Sequence, residues 1–209
     1  MISKTAIIAV VSTLCMVLIF GRAFAKEAPE EILRFMPQKI GQFVAERSVI
    51  AYEDKTMGAS LGYNSSVTFG TVLTVYLYDL GQGNIKDGID SKIIVQAKKE
   101  AVEEVKSVEK EYRMSRNLKL LSDSQVDFVI EKGKSLKMLV TSFSFEATNP
   151  LDGSSLGKRV SYMYVTGARG YICKIRATTS SSDEAKEIQE AAKMIFSKIL
   201  GKKVSVGSR

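Results

Sequence analysis

The sequence contains no histidine in its 209 residues. This absence excludes serine and cysteine nucleophiles that a histidine activates, and also histidine-rich catalytic zinc sites. Acid–base chemistry near neutral pH would need a carboxyl group or a lysine with a strongly shifted pKa. A carboxylate pair and a Ser-Lys centre remain open as catalytic routes, but neither has a diagnostic spacing here. We therefore expect no enzyme activity, no catalytic residue, no metal ligand and no cofactor.

Cysteine is also scarce, because the chain has only Cys15 and Cys173. Cys15 lies in an N-terminal segment that we expect to be removed, so Cys173 has no partner for an intramolecular disulfide. In the alternating run 171–178, Cys173 shares one strand face with Tyr171 and Ile175. We therefore predict a buried free thiol that serves as a small core residue.

The first 25 residues have the pattern of a signal peptide. Lys4 precedes an uncharged apolar run, 5–21, and Ala23-Phe24-Ala25 then supplies the small-x-small pattern of a cleavage site. A single-pass membrane anchor is the alternative, because the run approaches the roughly 20 apolar residues that span a bilayer. No basic stop-transfer cluster follows the run. We therefore predict cleavage before Lys26, export to the periplasm or the medium, and no stable membrane anchor afterwards.

Basic residues exceed acidic residues, and the net charge of +7 falls to +5 when Lys4 and Arg22 leave with the signal peptide. The basic residues are scattered, apart from Lys202 and Lys203, so this charge favours solubility and gives no reason to expect a nucleic-acid partner. The mature chain is long enough for one ordinary domain. We place that domain at residues 26–201, with 202–209 as a flexible basic tail.

Period-2 alternation predicts strands over most of the chain. In the run 67–79, Leu73, Val75 and Leu77 point one way while Tyr76 and Tyr78 point the other, so this strand is expected to be central and covered on both faces. The predicted strands are 43–52, 60–64, 67–79, 118–122, 125–131, 137–147, 159–166 and 171–178, with hairpin turns at 132–134 and 167–170. Because hairpins dominate and no strand-helix-strand unit repeats, we predict an α+β fold with a mostly antiparallel sheet.

Two main helices are predicted, at about 91–113 and 182–200. Asp90 or Ser91 is the expected cap of the first helix, and Ser181 and Glu184 fit a capping box for the second. The buried stripe of the first helix is expected to be Ile94, Ala97, Ala101, Val105, Val108 and Tyr112. That of the second is expected to be Ala185, Ile188, Ala192, Ile195 and Ile199. A short lead-in helix around 30–36, with Ile32, Leu33 and Phe35 on its apolar side, is expected to stop at Pro37.

The stretch VYLYDLGQGNIKDGIDS (75–91) joins a strand to a helix through a glycine-rich loop, an order that several phosphate-binding folds share. Gly88 comes two residues too late for the dinucleotide fingerprint, and the carboxylates of Asp87 and Asp90 before the helix would repel a phosphate. The stretch GSSLGK (153–158) is one residue too short for a P-loop. We therefore interpret the loop as a structural connection.

Calcium is the alternative ligand of that loop, since Asp79, Asn84, Asp87 and Asp90 could supply oxygen ligands. Their spacing is not that of an EF-hand, and ordinary turn and cap roles explain the same residues. The candidate surface or binding residues of this region are Tyr76, Tyr78, Asp79, Asp87 and Asp90.

Three stretches resemble a group of uncharacterised exported bacterial proteins: MPQKIGQFVA (36–45), VYLYDLGQGNIKDG (75–88) and SYMYVTGARGYICKIRAT (161–178). The element order is similar to the α+β sandwich of the extrinsic photosystem II protein PsbP. This resemblance implies a binding or assembly module without a catalytic site.

We therefore expect an exported, non-catalytic protein that binds a protein or another component of the cell envelope. The alternative is a periplasmic small-molecule carrier with a pocket between sheet and helix, and a hydrolase based on carboxylates or a Ser-Lys centre is a third reading. A deep apolar pocket would favour the carrier, and a flat aromatic patch would favour the binding module.

Overall fold

The structure is a computed structural model that describes residues 26–111, 114–130 and 135–201, with the backbone alone for 108–111. Its helices are α1 (Pro29–Arg34), α2 (Lys92–Glu111) and α3 (Ala185–Gly201). Its strands are β1 (Lys39–Ile40), β2 (Phe43–Ala45), β3 (Ile50–Ala51), β4 (Ala59–Ser65), β5 (Val72–Tyr78), β6 (Ser115–Val129), β7 (Ser135–Thr148), β8 (Ser155–Ala168) and β9 (Tyr171–Thr179). Short 3-10 turns lie at Lys55–Met57 and Ser182–Glu184.

All described strands join one sheet in the order β1-β2-β4-β5-β9-β8-β7-β6, and β3 pairs with β4 beside this path. Each strand pair is antiparallel. The prediction of a sheet-dominated, mostly antiparallel α+β fold is therefore confirmed. Strands β5 and β9 lie near the middle of the sheet, where both edges of each strand are paired.

Helices cover both faces of this sheet. On one face, α1 and α3 pack with Leu73, Val75 and Leu77 of β5 in the larger hydrophobic cluster. On the other face, α2 packs with Tyr78 and with the inward residues of β8 in a second cluster. Strand β5 contributes side chains to both clusters, because successive side chains of a strand point to opposite faces. The predicted central position of this strand is confirmed.

The observed main helices agree closely with the predicted ones. In α2, the predicted stripe is buried at Ile94, Ala97, Ala101 and Val105; the side chains of Val108 and Tyr112 lie outside the described residues. In α3, the buried stripe is Ile188, Ala191, Ala192, Ile195, Phe196 and Ile199. Ala185 is only half-buried. Phe196, which the stripe prediction missed, is fully covered.

Four of the predicted strands, 43–52, 67–79, 118–122 and 125–131, had clearly wrong boundaries. The run 43–52 forms two short strands, β2 and β3, and Ile50 is exposed. The run 67–79 becomes strand only at Val72, since the residues before it form a hairpin tip. The two runs 118–122 and 125–131 are one long strand, β6, which passes through two register shifts without turning. The predicted turn at 132–134 lies outside the described residues.

The lead-in helix α1 is shorter than predicted and presents a different apolar side. Pro29 opens it, as suits a residue whose missing N–H would have no helical partner. Ile32 and Leu33 are buried as predicted, but Phe35 is exposed and Met36 takes the inward place. The helix ends at Arg34 because Pro37 cannot continue it.

The predicted signal peptide, including Ala23 and Ala25, and the predicted basic tail both lie outside the described residues. Lys26, the predicted mature N-terminus, is the first residue that is described. In the described ranges, no helix combines the length and the apolar character needed to cross a membrane.

Candidate functional site at the β4–β5 hairpin tip

The connection between β4 and β5 carries the most exposed aromatic side chain of the described residues. Phe69 is 100% exposed and Val67 is 75% exposed, whereas the strands on either side are largely buried. We call residues 66–71 the hairpin tip. The stretch SSVTFGT was predicted to enter the strand at Val67, although its serines and Gly70 are turn residues that could have marked a hairpin.

Hydrogen bonds hold the backbone of the hairpin tip in place. The Ser65 hydroxyl accepts the N–H groups of Val67 and Thr68, at 3.2 and 3.0 Å. The N–H of Thr71 donates to the carbonyl of Thr68. Gly70 has a φ of +78°, a conformation that residues with a side chain rarely adopt. Phe69 therefore projects from an ordered turn.

The hairpin tip is also fastened to the turn between β1 and β2. Both the N–H and the hydroxyl of Ser66 donate to the carbonyl of Gln42, each at 2.9 Å. The side chain of Gln42 in turn donates from Nε2 to Oε1 of Glu184, at 2.8 Å. Two loops that are distant in sequence thus share one anchor.

That anchor, Glu184, is a buried carboxylate that is only 7% exposed. Its Oε2 accepts the hydroxyl of Thr71 at 2.6 Å and that of Thr179 at 2.5 Å. Burial alone would raise the pKa of Glu184, but hydrogen bonds from Thr179, Thr68, Thr71 and Gln42 to the charged form outweigh burial and lower it. The charged carboxylate therefore ties the hairpin tip to the start of α3.

This role corrects the predicted capping box. Ser181 does cap the following 3-10 turn, because its hydroxyl accepts the N–H of Asp183 at 3.2 Å. Its own N–H, however, donates to the Thr179 hydroxyl at 3.0 Å. The carboxylate of Glu184 turns inward because two distant donors, Gln42 and Thr71, converge on it together with the nearby Thr179. A local spacing rule does not contain this tertiary arrangement.

Two exposed valines lie on strands β2 and β5, close to the hairpin tip. Val44 of β2 and Val72 of β5 both pair with Asn64 of β4, so all three side chains lie on one face. Val44 is 42% exposed and Val72 is 40% exposed. The two valines therefore add exposed apolar side chains to the sheet face next to the hairpin tip, with Asn64 between them.

The glycine-rich loop, in contrast, is a packed connection. The N–H and carbonyl of Gly88 pair with those of Gly167 in β8, at 2.9 and 2.8 Å, and Ile85 bridges Gly170. A Cβ at Gly167 would lie 1.9 Å from the Lys86 carbonyl oxygen, so this approach requires glycine there. The loop is thus laid along the β8–β9 hairpin.

Two aspartates of the loop, Asp79 and Asp87, make contacts that hold it in place. Asp79 accepts the N–H of Gly81 at 3.0 Å and pairs with the ammonium of Lys26 at 2.8 Å. Asp87 accepts the N–H of Arg169 at 2.7 Å. Asp90 is exposed and stands immediately before Ser91, whose carbonyl accepts the N–H of Ile94 at the start of α2.

The two candidate tyrosines lie beneath α2, away from the aspartates. Tyr78 is only 9% exposed and belongs to the second cluster, which Tyr76 packs against. The ammonium of Lys174 lies 4.7 Å from the centre of the Tyr76 ring and 5.9 Å from that of Tyr78. Burial raises the pKa of both phenols. The structure therefore does not bring the predicted residues into one surface site.

Cys173 is a core residue. It is completely buried among the aliphatic side chains of the larger cluster, on the face that it shares with Tyr171 and Ile175. Burial raises the pKa of its thiol, which keeps the thiol protonated. The predicted burial is confirmed.

No grouping of three or more carboxylate or cysteine side chains that could hold a metal ion occurs in the ranges 26–111, 114–130 and 135–201. Comparisons with known protein families and with curated protein sequences find no match for this chain.

Proposed function

We propose that this protein is an exported, non-catalytic binding or assembly module of the cell envelope, and that it engages a protein partner through the hairpin tip. The observation that carries the proposal is the full exposure of Phe69 on a hydrogen-bonded turn. Exposing a large apolar ring to water costs free energy that a buried position would recover. Aromatic side chains on ordered surfaces are the usual anchors of protein–protein contacts.

The anchoring by Glu184 supports the same proposal. Binding costs less conformational entropy when the loop that the partner contacts is already ordered. Thr71 and Gln42, which bond to Glu184, hold the two loops around Phe69 in one arrangement before any partner arrives. The hairpin tip is therefore prepared for binding.

Export is proposed from the N-terminal pattern of the sequence, and the PsbP-like relationship from the element order alone. A sheet with helices on both faces agrees with such a sandwich. Intact-mass analysis of the protein from the envelope fraction tests export, and we expect Lys26 as the N-terminus. A chain that still begins at Met1 would contradict cleavage.

The carrier alternative would need room between the sheet and a main helix. The described side chains fill both of these interfaces, since Leu77, Cys173 and Ile195 on one face, and Ile94 and Val165 on the other, are at most 1% exposed. A binding module therefore agrees better with the packing than a carrier of this design.

Photo-crosslinking in the producing cells tests the binding role of the hairpin tip. A photoreactive amino acid at position 69 should give a discrete higher-mass adduct in the envelope fraction. The same amino acid at position 95 is the control, because Val95 is also exposed but lies on α2, across the sheet from α3. Equal adducts at both positions, or none at position 69, would refute the proposed contact.

A pair of substitutions measures the contribution of the aromatic ring. Phe69→Ser should abolish the adduct made from a photoreactive group at position 67 without lowering the thermal midpoint, because a fully exposed ring contributes little to folding. Phe35→Ser is the matched control, since Phe35 is 68% exposed at the end of α1. Loss of the adduct in both variants would show that the effect does not depend on the hairpin tip.

A further inference from the structure

A cavity of about 310 Å³ opens at the edge of the sheet, between α1, the link from β2 to β3, and β4. Its volume lies at the lower end of the range of small-molecule sites. This cavity is separate from the hairpin tip, and from the filled spaces between the sheet and the two main helices. The inference drawn from it does not rest on the proposed function.

The inner wall of the cavity is apolar. Leu33 and Met36 from α1 and Leu61 from β4 line it, and each of them belongs to the larger hydrophobic cluster. Val49 from the β2–β3 link is partly buried against the same cluster. Because these side chains are held by the core, the wall can receive a small aliphatic group without rearrangement.

The rim of the cavity carries two arginines, Arg34 at the end of α1 and Arg47 in the β2–β3 link. Both are exposed. In the described part of the chain, no carboxylate lies within ion-pair distance of either guanidinium. Gln38 and Ser48 add neutral polar groups to the same rim.

Glu46 also borders the cavity, but its carboxylate points elsewhere. A Cβ at Gly62 would lie 2.5 Å from the carboxylate of Glu46, and Asn64 donates to the same carboxylate at 3.5 Å. Gly62 follows Leu61 on β4, so it faces the opposite side of the sheet. The acidic group therefore lies away from the apolar wall, and the rim above that wall is cationic.

We propose that this cavity binds a small amphipathic organic anion, with its anionic head between Arg34 and Arg47 and a short aliphatic body against Leu33, Met36 and Leu61. Guanidinium groups bind carboxylates and phosphates through paired, charge-assisted hydrogen bonds. The apolar wall adds selectivity for a ligand with an aliphatic part over an inorganic anion. Carboxylate and phosphate heads share this chemistry, and the test separates them.

Amide NMR of the isotope-labelled protein tests the proposal, because it detects weak binding and locates it. Octanoate and octyl phosphate are titrated separately, with octanol and inorganic phosphate as the two half-ligands. We expect saturable shifts at residues 47–49 and at Gln38 with at least one of the two amphipathic anions, and weaker binding of both half-ligands. The tighter of the two anions identifies the head group.

Arg34→Gln and Arg47→Gln should each weaken the binding about tenfold, the loss expected for a charge-assisted hydrogen bond. Arg159→Gln is the control, since Arg159 is a half-buried arginine of β8 outside the cavity, and it should bind like the parent. Unchanged affinity in both rim variants, equal affinity for octanol or inorganic phosphate, or no saturable shift at the rim would overturn the proposal.

Discussion

The hydroxyl of Thr71 donates a 2.6 Å hydrogen bond to the carboxylate of Glu184, a residue 113 positions later in the chain. This contact joins the base of the hairpin tip to the first turn of the closing helical segment. Because the carboxylate is buried and charged, removal of either partner leaves a polar group without its counterpart. The position of Phe69 therefore depends on a residue that lies in another element.

Glu184→Ala should lower the free energy of unfolding by about 3 kcal/mol, because Gln42, Thr71 and Thr179 lose a charged acceptor. Denaturant unfolding measures this change. Glu187→Ala is the control, since Glu187 is an exposed acid in the first turn of α3, and it should cost about 0.5 kcal/mol. Equal losses in the two variants would mean that the buried network contributes nothing specific.

The stability that Glu184 contributes should depend on pH in a defined direction. Its pKa in the folded protein is lower than the ordinary value of 4.5. The contribution is therefore fully present above pH 4.5, and it is lost as the pH falls through the lower folded pKa. Unfolding of the parent and of Glu184→Gln over a pH series measures it. The difference between them should shrink as the pH falls below 4.5; a constant difference would contradict the assignment.

Replacement by alanine should destabilise the protein far more at Gly167, in strand β8, than at Gly83, in the glycine-rich loop. Gly167→Ala places a Cβ 1.9 Å from the Lys86 carbonyl oxygen, so it should cost about 3 kcal/mol and loosen the loop. Gly83→Ala meets no atom within 4 Å and requires no unusual φ, so its cost should stay within about 0.5 kcal/mol. Thermal unfolding of both variants measures this contrast. A large loss at Gly83 would show that the loop needs glycine for another reason.

Cys173 should react with a thiol-reactive dye only after denaturation, because its side chain is completely buried. Cys173→Ser should destabilise the protein by roughly 1–3 kcal/mol, the cost of burying a hydroxyl among aliphatic groups. Rapid labelling of the native protein would contradict the buried position. Cys173→Ala is the control, because it also removes the thiol but introduces no polar group.

The sequence alone predicted those parts of the fold that depend on local periodicity. The central position of β5, the stripe of α2 and the burial of Cys173 follow from side-chain alternation, since a period of two or of 3.6 residues fixes which groups share a face. Strand ends were less predictable. The tip residues Val67 and Phe69 continue the β-forming composition of β5, and only the pairing of Ser65 with Thr71 ends the strand.

The candidate functional residues were decided by the tertiary structure. Glu184 has the spacing of a helix cap, yet the distant residues Gln42 and Thr71 bond to its carboxylate, which faces inward. Tyr78 was predicted as a surface residue because it lies at the end of a strand, yet it packs in the cluster that α2 covers. Arg34 and Arg47 become neighbours of one cavity only because α1 folds against β4. Local sequence specifies which face a side chain takes, whereas the packing of distant elements specifies what that side chain meets.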